Sequence, residues 1–288
     1  MKKLFLLLFF FSALSLSANT RIREFRSANE LLRKRQYAKA AAAFETLVKK
    51  TSRTQRIYAM RRQCEAMARI RKGGEALKIA AKIPDPVLRE YTVMQILSIS
   101  RQYKKLIDQF GKKDLNLLPD DIIHHGFYMR AEALEHLKQY STAFKDIDRC
   151  IAECGSDMEQ KMLACMWGTQ LAYNKKNHEL VLKYADQALK ETRFRESFMF
   201  LRPMTLKAKI LIAEKDFAGA EKCLALAPAN LKKTKGVWGC CFNILSGDLA
   251  LARGRKSQAA DFYRQALICA GKTQHLIIAA QKKLASVK

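Results

Sequence analysis

The sequence predicts an all-α protein, a solenoid of about seven stacked helix pairs closed by one further helix at its C-terminal end. Three observations carry that prediction. Small residues and large apolar residues alternate at helical spacing, in one frame that recurs along the chain. Only 5 prolines and 12 glycines interrupt 288 residues, as suits a mostly helical chain. Hydrophobic residues make up 49% of the total, enough to bury a substantial core.

The N-terminus reads as an export signal over residues 1–18. Met1-Lys2-Lys3 is a short basic head, Leu4 to Leu16 is an apolar run, and Ser17-Ala18 is a small-residue exit. These are the three parts of a secretory signal peptide. The run falls short of the ~20 residues a membrane-spanning helix needs. Cleavage after Ala18 and cleavage after Ser17 both fit. No later apolar run is long enough to span a bilayer, so no transmembrane segment is expected once the signal is removed. The expected location is the periplasm or the exterior of a bacterial cell.

The clearest repeat unit carries Phe127, Ala131, Leu134, Tyr140, Ala143, Ile147 and Cys150. Ala131 and Ala143 leave room where two helices approach closely, and the large residues fill the space between them. The frame recurs at Ala28, Leu31, Tyr37, Ala40 and Phe44. It returns at Cys64, Met67, Ala76 and Ala80, with Gly73-Gly74 expected at the turn. A weaker copy holds Leu97, Tyr103, Leu106 and Phe110. Three more hold Gly168, Ala172 and Ala185; Ala208, Phe217 and Ala220; and Gly247, Ala259, Tyr263 and Ala266. Equivalent positions fall at 28, 64, 94, 131, 169, 208 and 247, giving intervals of 36, 30, 37, 38, 39 and 39 residues. The pattern resembles the tetratricopeptide repeat family, whose unit is an antiparallel pair, helix A then helix B, about 34 residues long. The resemblance covers nearly all of residues 19–288 and implies a right-handed superhelix. The units fall at about 21–54, 55–86, 87–121, 124–157, 162–195, 201–234 and 240–272, with a capping helix over 273–288.

Punctuation agrees with that frame. Pro84, Pro86, Pro119 and Pro228 stand between units, and Pro203 stands where a helix is expected to begin. Asp120-Asp121, Ser156-Asp157 and Thr273 are expected helix N-caps.

The resemblance also implies where a partner sits. Helix A of each unit lines a concave face, and the matching positions include Phe25, Asn29, Arg33, Tyr58, Arg61, Arg69, Tyr91, Gln95, His125, Tyr128, Glu132, Met166, Gln170, Tyr173, Arg202 and Lys209. Tyrosine supplies contact area with a polar end, and arginine grips carboxylates in two bonds. Such a face suits a peptide or partner protein. Some of these side chains are as well explained by packing on the next helix. The family's clamp for C-terminal carboxylates pairs Lys with Asn; Asn29 matches, but Phe25 stands in the lysine slot, so that clamp is not carried over.

Lys and Arg number 53 against 27 Asp and Glu, a net charge of +26. An acidic partner is therefore expected, although net charge constrains association more than identity. Residues 19–86 alone hold 18 basic and 6 acidic residues, a net of +12. Arg21, Arg23, Arg26, Arg33, Arg62, Arg71 and Lys72 are the expected basic patch. It gives an alternative reading, a protein held on anionic lipid or cell-wall polymer through its N-terminal repeats. Export, and the lack of a groove-reading motif, argue against nucleic acid.

The remaining motifs argue against catalysis, metal and cofactor. Cys64 and Cys150 occupy small-residue slots, where a thiol packs as a small hydrophobe. Cys154 and Cys165 are the best-placed pair of the eight cysteines for a bridge. There is no close pair of Cys-x-x-Cys motifs for zinc. Gly271-Lys272-Thr273 imitates a phosphate loop, but Ala266 replaces its first glycine. His124-His125 lacks the spacing and the glutamate of a metalloprotease helix.

Overall fold

The computed structural model describes residues 20–287 and is all-helical among them. The export signal lies outside the described residues. Helix α1 covers 20–33 and is followed by α2 (Tyr37–Lys50), α3 (Arg53–Arg69), α4 (Gly73–Ala80), α5 (Pro86–Ile99), α6 (Tyr103–Phe110), α7 (Ile123–His136) and α8 (Tyr140–Glu153). Then come α9 (Met158–Asn174), α10 (His178–Leu189), α11 (Phe198–Ala213), α12 (Phe217–Ala225), α13 (Val237–Ala252), α14 (Lys256–Ala270) and α15 (Gln274–Ala285). Odd-numbered helices up to α13 are helix A of a pair and the next helix is helix B. Packing divides the chain into two compact units, one ending at Arg149 and one starting at Cys150.

Every helix A ends in the same turn. Its left-handed residues are Arg35, Arg71, Arg101, Lys138, Lys176, Lys215 and Gly254, with φ between 55° and 76°. The amide one residue further on bonds five residues back in each case: Gln36 to Leu31, Lys72 to Met67, Gln102 to Leu97, Gln139 to Leu134, Asn177 to Ala172, Asp216 to Leu211 and Arg255 to Ala250, at 2.8–3.0 Å. This is the Schellman closure of a helix, which ordinarily takes glycine. A side chain in that conformation costs about 1–2 kcal/mol. Six of the seven turns bear it on Arg or Lys, whose charge at a helix C-terminus returns ~0.3–1 kcal/mol through the macrodipole. Ala28, Cys64, Met94, Ala131, Thr169, Ala208 and Gly247 each stand seven residues before these turns. Gly73 and Gly74, expected at the second turn, instead open α4; a β-carbon on Gly73 would stand 2.8 Å from Ser100 Oγ.

In the first unit α3 packs on α2, α4 and α5, and α5 packs on α6 and α7. Ala28, Leu32, Ala40, Phe44, Leu47, Ala59 and Ala66 form one buried cluster; Cys64, Met67, Ala76, Ala80 and Ile96 form the next. The pair α7–α8 is tied by a buried fork. Arg130 Nε and Nη2 donate to Asp146 Oδ2 and Oδ1 at 2.7 and 2.8 Å, and Arg130 Nη1 donates to the Lys113 carbonyl at 2.8 Å.

In the second unit α11 packs on α9 and α13, and α13 packs on α14 and α15. Helix α15 buries Leu276 and Ala280 against Cys240, Ala266, Cys269 and Ala270. It is pinned by Lys283 Nζ, 2.7 Å from Asp248 Oδ1. It therefore covers the apolar face that the last pair would otherwise leave open.

Caps and prolines depart from expectation in places. Asp157 caps α9, accepting from the Gln160 amide at 3.0 Å. Asp120 and Asp121 do not cap α7, because that helix starts later, after Ile122, without a side-chain cap. Thr273 holds the N-cap position of α15 but makes no capping bond. Pro203 lies inside α11, which begins five residues earlier under a Ser197 cap. Pro86 is the first residue of α5, capped by Asp85. Among the described residues no helix is long and apolar enough to cross a membrane.

Candidate functional site: the helix A faces

Helices α1, α3, α5 and α7 turn one face to a common side of the first unit, and the side chains on it interlock from one repeat to the next. Tyr58 Oη and Arg62 Nε both donate to Asn29 Oδ1 at 3.1 Å. The Tyr58 ring meets Phe25 edge-on at 5.8 Å. Ser98 Oγ donates to Glu132 Oε2 at 2.9 Å. Each rung joins residues about one repeat apart, which the helix A to helix A packing brings level.

The faces of α3, α5 and α7 border an open cavity of about 630 Å³. Tyr58, Arg61, Arg69, Tyr91, Gln95, His125, Tyr128 and Glu132 all line it, and they come from three different helices. Arg61 lies over the Tyr91 ring, 4.8 Å from its centroid, and its buried Nε has no hydrogen-bond partner. Tyr91 is only 5% exposed. Burial raises its hydroxyl pKa, against the pull of Arg61, so it forms the cavity floor and offers little contact surface. Tyr58 is 39% exposed and stands at the mouth. Arg69 sits 6.0 Å above the Tyr37 ring. His125 lies against His124 at 4.1 Å between ring centroids.

Further lining residues lie off the expected helix A positions. Arg101 comes from the turn after α5, Tyr103 from the start of α6, and Asp121 from the loop before α7. Tyr103 stacks on His136 at 4.2 Å, and its pKa is raised by burial and then by Glu132. Sequence frame alone does not find them, because they are not on the face that the frame selects. The lining is arginine-rich on α3 and carries Glu132 and Asp121 on the opposite side.

In the second unit α9, α11 and α13 carry a comparable series. Arg202 Nη1 donates to Gln170 Oε1 at 3.4 Å and lies 5.9 Å from the Trp238 ring centre. Lys209 Nζ lies 5.7 Å from the centre of the Tyr173 ring. Trp238 stands 36 residues after Arg202, one repeat on, and that spacing was the signal that could have found it.

The expected basic patch divides in two. Arg21, Arg23, Arg26 and Arg71 are exposed and make no ion pair among the described residues. Arg33 instead forks onto Glu30 with two 2.7 Å bonds, and this bonding takes the Glu30 carboxyl down to about 2. Arg62 is held by Glu65 at 2.6 Å as well as by Asn29. Lys72 lies 3.6 Å from Glu75. Each of these three is ion-paired within the protein, with the Arg33 and Lys72 side chains still 76% and 53% exposed.

The eight cysteines are free thiols, and seven are buried. Cys154 does not bridge to Cys165; its Sγ donates to the Cys150 carbonyl at 3.0 Å.

No protein-family model matches the chain, and no curated protein does. Among solved structures, the chain is similar to a tetratricopeptide repeat protein from Parabacteroides merdae ATCC 43184. The two share 12% identity at a TM-score of 0.38, over 93% of this chain and 98% of that one.

Proposed function

We propose that this protein is a non-catalytic interaction scaffold of the bacterial cell envelope, exported by its N-terminal segment, whose first unit binds an extended acidic segment of a partner protein. One observation carries the reading. Tyr58, Arg61, Arg69, Gln95, His125 and Tyr128 lie on three helices of three repeats, and they converge on one open cavity. The half-buried guanidinium of Arg61 lines that cavity, held over the Tyr91 ring. A carboxylate placed there would pair with its positive charge. Tyr58 and Tyr128 supply rigid contact area on either side. Glu132 and Asp121, on the far side, suit an amide or a basic residue further along the same segment.

The test is capture from an envelope extract on immobilised protein, with a high-salt wash. A discrete protein retained by the wild-type chain and lost with Tyr58→Ala plus Arg61→Gln supports the cavity as the binding site. Equal retention by that variant would remove it. Tyr58 is largely outside the core, so the comparison is between folded proteins.

A further inference from the structure

The turn that closes each helix A carries a second pattern, along an edge that meets the cavity only at Arg101. In the first unit the left-handed residues that close the A helices are Arg35, Arg71, Arg101 and Lys138; Arg53, also left-handed, instead opens α3. All four are exposed, and none makes an ion pair among the described residues. Glycine is the residue this conformation favours, and it is used at none of the four. Cations are kept at a place where they strain the backbone.

Their placement follows from the packing. Tyr58 and Asn29 join α1 to α3, α3 packs on α5, and α5 packs on α7. All four are A helices running the same way, so their C-terminal turns share one edge of the unit. Helices in contact stand ~8–10 Å apart, so the four cations form a row roughly 30 Å long. Of the acidic residues beside the row, Glu30 is engaged by Arg33 and Lys34, Glu75 by Lys72 and Glu132 by Ser98, while Glu135 stands one turn before Lys138. The turn residues include no aromatic for base stacking and no large exposed hydrophobe. Arg101 alone of the four reaches the cavity, and Arg35, Arg71 and Lys138 lie outside it, so the row can meet a plane but cannot enclose a strand.

We propose that this turn edge docks the first unit onto the anionic face of a phospholipid bilayer, peripherally and without insertion. The strained conformation places each charge at the tip of a turn, in line with its neighbours. The helix termini behind the row add a negative potential that holds the cations in position.

The experiment is co-sedimentation of the full chain with phosphatidylcholine vesicles, with and without phosphatidylglycerol, across a salt series. The decisive variants are Arg35→Gly, Arg71→Gly and Lys138→Gly combined, in which glycine preserves the turn. Arg101 is left in place because it also lines the cavity. The control is Arg56→Gln, Lys82→Gln and Lys112→Gln combined. It removes the same number of exposed, unpaired charges from the opposite edge, at the start of α3 and beyond the ends of α4 and α6. The inference requires binding only to the anionic vesicles, weakening as salt rises. It requires a loss on the order of a hundredfold in the glycine triple and a much smaller loss in the control. Equal losses in the two triples would overturn it, as would equal binding to neutral vesicles. So would retention on a soluble polyanion such as heparin without binding to vesicles. The melting temperature of the glycine triple is expected not to fall; if it does, Asn, which also tolerates this conformation, replaces Gly at the same positions.

Discussion

Gly247 lies flat against the ring of Tyr263, so close that a β-carbon on residue 247 would stand 2.4 Å from Cε1 of the ring. The ring cannot retreat freely, because Tyr263 Oη donates to Asp248 Oδ1 at 2.7 Å. The absent side chain is what lets α13 and α14 approach. Gly247→Ala should therefore destabilise the protein. Overpacking costs ~1–3 kcal/mol, and the better helix propensity of alanine returns ~1 kcal/mol. Thermal unfolding checks this: a lower melting temperature is expected, partly restored when Tyr263→Leu is added.

The turns give a prediction of opposite sign. Lys138→Gly removes a side chain from a left-handed site and should stabilise the protein by roughly 0.5–1 kcal/mol after the entropy of the glycine chain is subtracted. Gly254→Lys should destabilise by a similar amount. Denaturant midpoints of the two variants, measured beside wild type, decide it.

Arg130 and Asp146 form a fork that is 12% and 5% exposed. Removing one partner strands a buried charge. Arg130→Ala is expected to cost ~3–5 kcal/mol, and Arg130→Met with Asp146→Leu distinctly less. A double-mutant cycle by chemical unfolding measures the difference.

Burial pushes the thiols of Cys64 and Cys165 up to about 12, and those of Cys223 and Cys240 up to about 11. The unfolded chain releases these protons near pH ~8.5, while the folded chain keeps them. Stability should therefore fall as pH rises from that value towards the folded-state values. Unfolding free energies across that window test the sign. At neutral pH these thiols should react with thiol reagents far more slowly in the native protein than in urea.

The architecture was legible where it depends on side-chain volume. Ala28, Ala131, Ala208 and Gly247 mark close helix approaches, and a small residue announces itself in a sequence. The turns were not legible, because the usual signal is glycine and Arg71 or Lys138 stands there instead; Gly73-Gly74 drew attention to the wrong place by two residues. Arg33 and Arg62 read as free charge because their partners, Glu30, Glu65 and Asn29, are chosen by rotamer and by the approach of α1 to α3. Tyr91 was legible as a residue of the helix A face, but not its depth beneath Arg61. Arg101 and Tyr103 reach the cavity from a turn and from helix B, outside the face that the repeat frame selects.

The most direct test of the cavity as a partner site is photocrosslinking in the intact cell, with benzoylphenylalanine placed in turn at Tyr58, at Tyr128 and at Phe262. The first two line the cavity in the first unit, and Phe262 is on α14 in the second. Crosslinks to one discrete protein from residues 58 and 128, and none to it from residue 262, are the predicted result. Crosslinking of that protein from residue 262 alone, or equally from all three positions, would contradict the account.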